Sequence, residues 1–264
     1  MSSLVKKLGL AVGLFFIVSL LAFLWQFPNS LWVQSAWVEQ ALPKNIKISE
    51  SSGQIADGVL RLQAKPVQPG RPVPVGDLSW IWQRQDLFKG EAGFNVQWHL
   101  QDSSFSAELS HSVMSSELRL DSARGSLSIP TLISVASAFT PFAIQAEGRI
   151  HLAELHGLLG FEPKVWPLNL QGKGDVEGLT SMGIALPKIT FTLSQAKNRE
   201  IQVNLQGGEN NWRLNGILSI TPNGRYNLNV DVTANRAEDL PQWTVMMRKK
   251  RRNQAVLKLG GSWL

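Results

Sequence analysis

The residues of this 264-residue chain best suited to acid–base or metal chemistry near neutral pH are its four histidines, His99, His111, His151 and His156. None belongs to an HExxH motif, and no two stand four apart on a helical pattern, the spacing that turns two imidazoles toward one metal ion. His99, His111 and His151 fall at polar or boundary positions of predicted strands, where an exposed structural role is expected. Ser110-His111-Ser112 sets a hydroxyl beside a base, but adjacent strand residues point to opposite faces and no nucleophile elbow surrounds them. Gly172-Lys173-Gly174 has the ending of a phosphate loop, yet Pro167 stands where the first glycine belongs and no Ser or Thr follows the lysine, so it reads as a turn. Cysteine is absent, which removes thiol catalysis, disulfides and Cys-based zinc sites and suits an oxidising compartment. These residues supply no catalytic group, metal site or cofactor site, and the expectation is a chain that is not an enzyme.

Ten tryptophans stand against one tyrosine. Trp80 and Trp82 share one face of a predicted strand and Trp98 lies on the next. Together with Phe94, Trp212 and Tyr226 they are the candidate apolar groove or core. Indoles serve a packed core and also favour the membrane boundary, and both readings stay open. The net charge of +6 is concentrated at Lys6 and Lys7 and in the run Arg248, Lys249, Lys250, Arg251, Arg252, so the rest of the chain is close to neutral. That distribution speaks against a broad phosphate-binding surface and against nucleic acid as a partner. The run itself reads either as a solvated helix end or as a contact to an anionic surface, lipid headgroups or an acidic protein.

The elements that must position these residues are of two kinds. Residues 8–27 (LGLAVGLFFIVSLLAFLWQF) carry no charge and match the ~20 residues a helix needs to cross the hydrocarbon core. Leu8, Leu14, Phe15, Phe16, Ile17, Leu20, Leu21, Phe23 and Leu24 are its apolar surface, Lys6 and Lys7 hold the N-terminus in the cytoplasm, and Trp25 and Trp32 mark the far interface. A cleaved leader ending before Ala36 is the alternative, but the apolar run is longer than a usual leader core. The expected organisation is a cytoplasmic stretch 1–7, an anchor 8–27, a helical juxtamembrane segment 28–44, and an external β domain 45–264 with possible halves 45–155 and 168–264.

Beyond residue 44 period-two alternation dominates, as in Phe94, Val96, Trp98, Leu100 or Tyr226, Leu228, Val230, Val232. This predicts a largely antiparallel sheet with one apolar and one polar face. Turn chemistry is read at Pro69-Gly70, at Gly93 with Asn95, at Gly207-Gly208 with Glu209-Asn210 and at Pro222-Asn223-Gly224. A motif Gly-x-(Leu/Ile)-x-(Leu/Ile) recurs from Gly58, Gly125, Gly148 and Gly216, where glycine permits a bulge or close packing. Two helices are expected: Thr131 to Phe139, and Glu238 to Arg252 with acids at its start and cations at its end.

Several of these features together resemble protein N of the bacterial type II secretion system: the single apolar helix, the Ser-Gly element from Ser52-Gly53 to Leu62, Leu78-Ser79-Trp80 with Leu87-Phe88-Lys89-Gly90 after it, and the closing glycine strands. Where that family commonly continues its Ser-Gly with Thr and then Trp, Gln54 and Ala56 stand here, and Gly58 is kept. The resemblance implies an inner-membrane, periplasm-facing accessory of secretion whose partners are other inner-membrane or pseudopilus components, with no catalytic residues. It also implies a distant likeness to AsmA-like proteins, whose curved one-sided sheets form a trough or partial barrel with an apolar groove. Lipid is therefore a second candidate ligand, and an AsmA-like lipid-binding or lipid-transfer module the alternative function.

Overall fold

The computed structural model describes residues 28–30, 45–66, 70–83, 85–86, 90–112, 117–138, 145–160, 166–181, 183–196 and 198–262. The anchor at 8–27, with Lys6, Lys7, Trp25 and Trp32, lies outside them. No helix among the described residues is long and apolar enough to cross a membrane.

Alternating sequences become strands because successive side chains of an extended backbone leave opposite faces. In Trp212–Ile220 the residues Trp212, Leu214 and Gly216 are buried while Arg213, Asn215 and Ile217 are exposed. Fifteen such strands form one antiparallel sheet. They are β1 (Ile46–Gly53), β2 (Asp57–Ala64), β3 (Val73–Gln83), β4 (Glu91–Leu100), β5 (Ser103–Ser112), β6 (Glu117–Ser128), β7 (Ala146–Gly160) and β8 (Trp166–Ser181). After them come β9 (Ile184–Ala185), β10 (Ile189–Gln195), β11 (Ile201–Glu209), β12 (Trp212–Ile220), β13 (Arg225–Ala234), β14 (Arg248–Arg251) and β15 (Gln254–Ser262). Neighbours in sequence are neighbours in space, save that β9 hangs from β8 and β15 pairs with β13, leaving β14 outermost. The sheet is open, with β1 at one edge and β14 at the other.

Register carries a single apolar face across these strands. Gly58 and Leu60 of β2 oppose Trp80 and Leu78 of β3; these oppose Val96 and Trp98 of β4, which oppose Ala107 and Phe105 of β5. At the other end Ile201, Val203 and Leu205 oppose Ile220, Leu218 and Gly216, which oppose Tyr226, Leu228 and Val230. Most of these side chains are buried or half-buried although the sheet is a single layer. Curling supplies the cover: Ile201 of β11 packs against the cluster of Ala107, Leu120, Ala123 and Leu170. A second cluster, around Trp212, Leu214, Val230, Val232 and Ala255, sits under the segment that joins β13 to β14.

Helix α1 (Ile129–Ser137) connects β6 to β7, with Pro130 in its first turn, where a missing N–H costs nothing. It corresponds to the helix expected from Thr131. The second expected helix does not form. Residues Ala237–Asp239 and Gln242–Met246 make two short 3-10 turns around Pro241, and Arg248–Arg251 pairs with β15 as a strand. Pro241 keeps the residue before it, Leu240, extended (φ −65°, ψ 126°), which breaks the expected helix in its first turn, and the ladder with β15 competes successfully for Arg248–Arg251. Gly172-Lys173-Gly174 is likewise not a turn but the centre of β8, and Gly93 and Asn95 lie within β4. Between the two expected halves, His156–Gly160 belongs to β7 and Trp166 and Pro167 to β8, and these described residues pair, Gly160 opposite Trp166.

The antiparallel order sorts all connections onto two rims. Pro28 forms a β-bridge with Gln54, beside the β1–β2 turn, and Asn29 is fully buried there, its Nδ2 donating to the Ser52 carbonyl at 3.4 Å. The β3–β4, β5–β6, β7–β8, β10–β11 and β12–β13 connections share this rim. Helix α1, the 3-10 turns and the β14–β15 hairpin occupy the opposite one, about 30 Å away for strands of this length.

Candidate functional site

Of the six aromatic residues singled out in the sequence, four are brought together. Trp82 and Phe94 oppose each other and stack, ring centroids 5.7 Å apart and planes 19° apart. Trp80 and Trp98 lie on the same face, and each lies across a glycine of the preceding strand. A Cβ on Gly58 would sit 2.6 Å from the ring of Trp80, and one on Gly76 would sit 2.6 Å from Nε1 of Trp98. Each indole then donates to a backbone carbonyl, Trp80 to Ile55 at 2.7 Å and Trp98 to Val75 at 2.9 Å. Val75 has no partner on β2, because β3 bulges there and Gly76 takes a positive φ of 122°. The bulge thus turns a carbonyl to the indole, and the glycines make room for it. Trp212 lies elsewhere, buried at 7% exposure and edge-to-face with Trp243 at 5.8 Å, in the cluster of β12, β13 and β15, and Tyr226 packs over Gly261 at the start of β13, outside both clusters.

The opposite face is polar. Between β2 and β7 a cleft of about 850 Å³ is lined by Asp77, His99 and Arg124 of this face together with Trp98, Phe105 and Leu152. Its groups are engaged in pairs across strands. Arg61 bonds Asp77 at 3.0 Å and Glu50 at 2.6 Å, and both carboxylates favour its charged form, raising its pKa. Lys173 holds Glu154 at 2.8 Å, which lowers the pKa of the acid and raises that of the base.

His151, Asp175 and Glu177 are the described residues that come nearest to a metal-ligand set, their donor atoms all within 4.8 Å of one another. Lys188 occupies that position: its Nζ lies 3.0 Å from Asp175 and 3.5 Å from Glu177, and the bond to Asp175 raises its pKa. An ammonium already supplies the positive charge that a cation would bring. The Ser110-His111 pair is also committed, Ser110 Oγ donating to Asp121 at 2.5 Å and His111 Nδ1 donating to the Glu117 carbonyl at 2.9 Å. Neither arrangement leaves a nucleophile facing a base.

The basic run forms the β14 edge and its turn. Arg248, Lys249, Lys250, Arg251 and Arg252 are all exposed, and none pairs with a carboxylate among the described residues. Val245 and Met246, immediately before them, are 78% and 64% exposed. This apolar pair beside the cations has no signature in the sequence.

Comparison with curated proteins and with solved structures gave no match. The model of the family described as type II secretion system (T2SS), protein N, matches residues 44–256, which takes in the sheet from β1 to the first three residues of β15. With most of its length and nearly its whole sheet inside that match, the chain belongs to the protein N family of type II secretion components.

Proposed function

We propose that this protein is a non-catalytic accessory of type II secretion, held in the inner membrane by residues 8–27 with its sheet in the periplasm, and that it works by binding other secretion components. The observation that carries this reading is the open sheet itself. It offers two edges and two rims to partners, while its polar groups are spent on cross-strand pairs rather than converging on one reactive point. The bridge between Pro28 and Gln54 sets the residue that follows the apolar segment in sequence beside the β1–β2 turn, so a membrane held at 8–27 would face that rim.

The unbroken apolar face is the observation favouring a lipid-binding module instead. Against it, the apolar side chains are largely covered by their own neighbours. Photocrosslinking in the native host separates the two. Probes at Ile81 and Ile217, 55% and 47% exposed on the polar face, should capture inner-membrane or pseudopilus proteins. A probe at Leu259, 49% exposed on the apolar face, reports on lipid. Protein adducts support the scaffold; phospholipid adducts at Leu259 with no protein adduct at the other two overturn it.

A further inference from the structure

We propose that β14 is a docking edge for an extended acidic segment of a partner protein, which adds beside it as one more antiparallel strand. This rests on the scaffold reading and names one of its surfaces. β14 closes the sheet order, so one side of it pairs with β15 and the other bears backbone donors and acceptors with no backbone partner among the described residues. Such an edge is a template for strand addition. Its side chains select the incoming strand. All four are exposed cations, so a second copy of the same edge is repelled and an acidic strand attracted. Val245 and Met246 extend the surface with an apolar step, so the segment that fits carries acidic residues and then apolar ones. The other edge differs: in β1 the charges are mixed, and Glu50 is already bound by Arg61.

A lipid surface is the competing occupant, since exposed apolar residues beside cations also suit anionic headgroups. Topology favours protein. β14 lies at the opposite edge from β1, on the order of 60 Å along the sheet at ~4.8 Å per strand. Its turn is also on the rim opposite Pro28, remote from where the apolar segment enters the fold.

The test uses the full chain in nanodiscs of zwitterionic lipid and three probes. These are a fluorescent peptide of about eight residues with Glu in its first half and Val in its second, the same peptide N-methylated at alternate amides, and vesicles containing phosphatidylglycerol. The unmodified peptide should bind, N-methylation should weaken it by about tenfold or more, and exchange of all five cations for Gln should do the same. Retention of the native circular dichroism shows that the Gln variant is folded, and the N-methylated peptide tests the edge without any variant. Equal binding of both peptides would mean charge attraction without strand addition and would overturn the proposal. So would binding of neither peptide, or capture of the anionic vesicles alone through the five cations. The crosslinks from Ile81 and Ile217 do not depend on β14, so failure here leaves the scaffold reading standing and failure there is separately visible.

Discussion

Trp80 of β3 and Gly58 of β2 are register partners, and the indole covers the glycine so closely that a methyl group there would lie 2.6 Å from its ring. The same added carbon would meet Asn29 Nδ2 and the Gln54 carbonyl at 2.9 Å each, so the glycine also admits Asn29 to this corner. Gly58→Ala should lower stability by about 1–3 kcal/mol, the range for overpacking a fitted site. Tryptophan emission during urea unfolding of the solubilised chain measures it. If the indole is the cause, the same substitution should cost clearly less in a Trp80→Leu background, and an unchanged cost would assign the effect to Asn29 or Gln54 instead.

Trp243 makes a second case of cover by an aromatic. It lies on the connection between β13 and β14, edge-to-face with Trp212 over Leu214, Val232 and Ala255. Removing it uncovers a cluster that no second layer protects. Because Trp243 is only half-buried, Trp243→Ala should cost about 2–4 kcal/mol, below the full range for a buried tryptophan. Proteolytic cleavage within residues 235–247 should appear first, before loss of the β1–β6 strands. Simultaneous loss of both regions would show that the two clusters unfold as one.

Helix α1 is held to the β4–β5 turn through Asp102. Thr131 Oγ1 lies 3.0 Å from its Oδ1, and Arg149 Nη2 donates to Oδ2 at 2.9 Å while Nη1 donates to its backbone carbonyl. The Thr131 hydroxyl, with a smaller contribution from Arg149, holds the Asp102 carboxyl below its ordinary value. A lowered folded pKa stabilises the native state above the unfolded carboxylate range, and that contribution is lost as pH falls through the folded value. The protection factors of the α1 amides, taken against the unstructured exchange rate at each pH, should therefore fall on acidification below the ordinary carboxylate pKa, and fall more than those in β12. In Asp102→Asn, which keeps an acceptor for Thr131 but cannot titrate, the Asp102-dependent part of that fall should vanish.

The strands were legible in the sequence wherever alternation is strict, as in β11 to β13, because a one-sided sheet imposes its period on the residues directly. Glycine was the least readable residue. At Gly93 and Gly174 it suggested turns, but a Cβ at Gly174 would lie 2.5 Å from the Phe191 ring across the strand, and one at Gly93 would collide with Asp86. The same permissiveness serves a bend or a close approach, and only the partner strand decides which. The basic run misled for a related reason. Acids before it and cations within it suit a helix, while its pairing with Val256, Ala255 and Gln254 is a contact made after a turn. The aromatic group around Trp82 and Phe94 was legible as a shared face, but the bulge at Val75 that orients Trp98 was not.

The assignment of the two rims makes the proposed orientation measurable. The chain contains no cysteine, so each introduced thiol is unique. Asn223 lies in the β12–β13 turn on the rim of Pro28, and Asn210 in the β11–β12 turn on the opposite one, both exposed. With the full chain in a bilayer carrying quencher-labelled headgroups, a fluorophore at Asn223→Cys should be quenched more strongly than one at Asn210→Cys, given about 30 Å between the rims. Deleting residues 8–27 should abolish the quenching at both positions if that segment is what holds the sheet to the bilayer. Equal quenching at the two rims in the full chain would instead lay the sheet flat on the membrane, bringing β14 within reach of the headgroups and shifting the reading of its cations from protein to lipid.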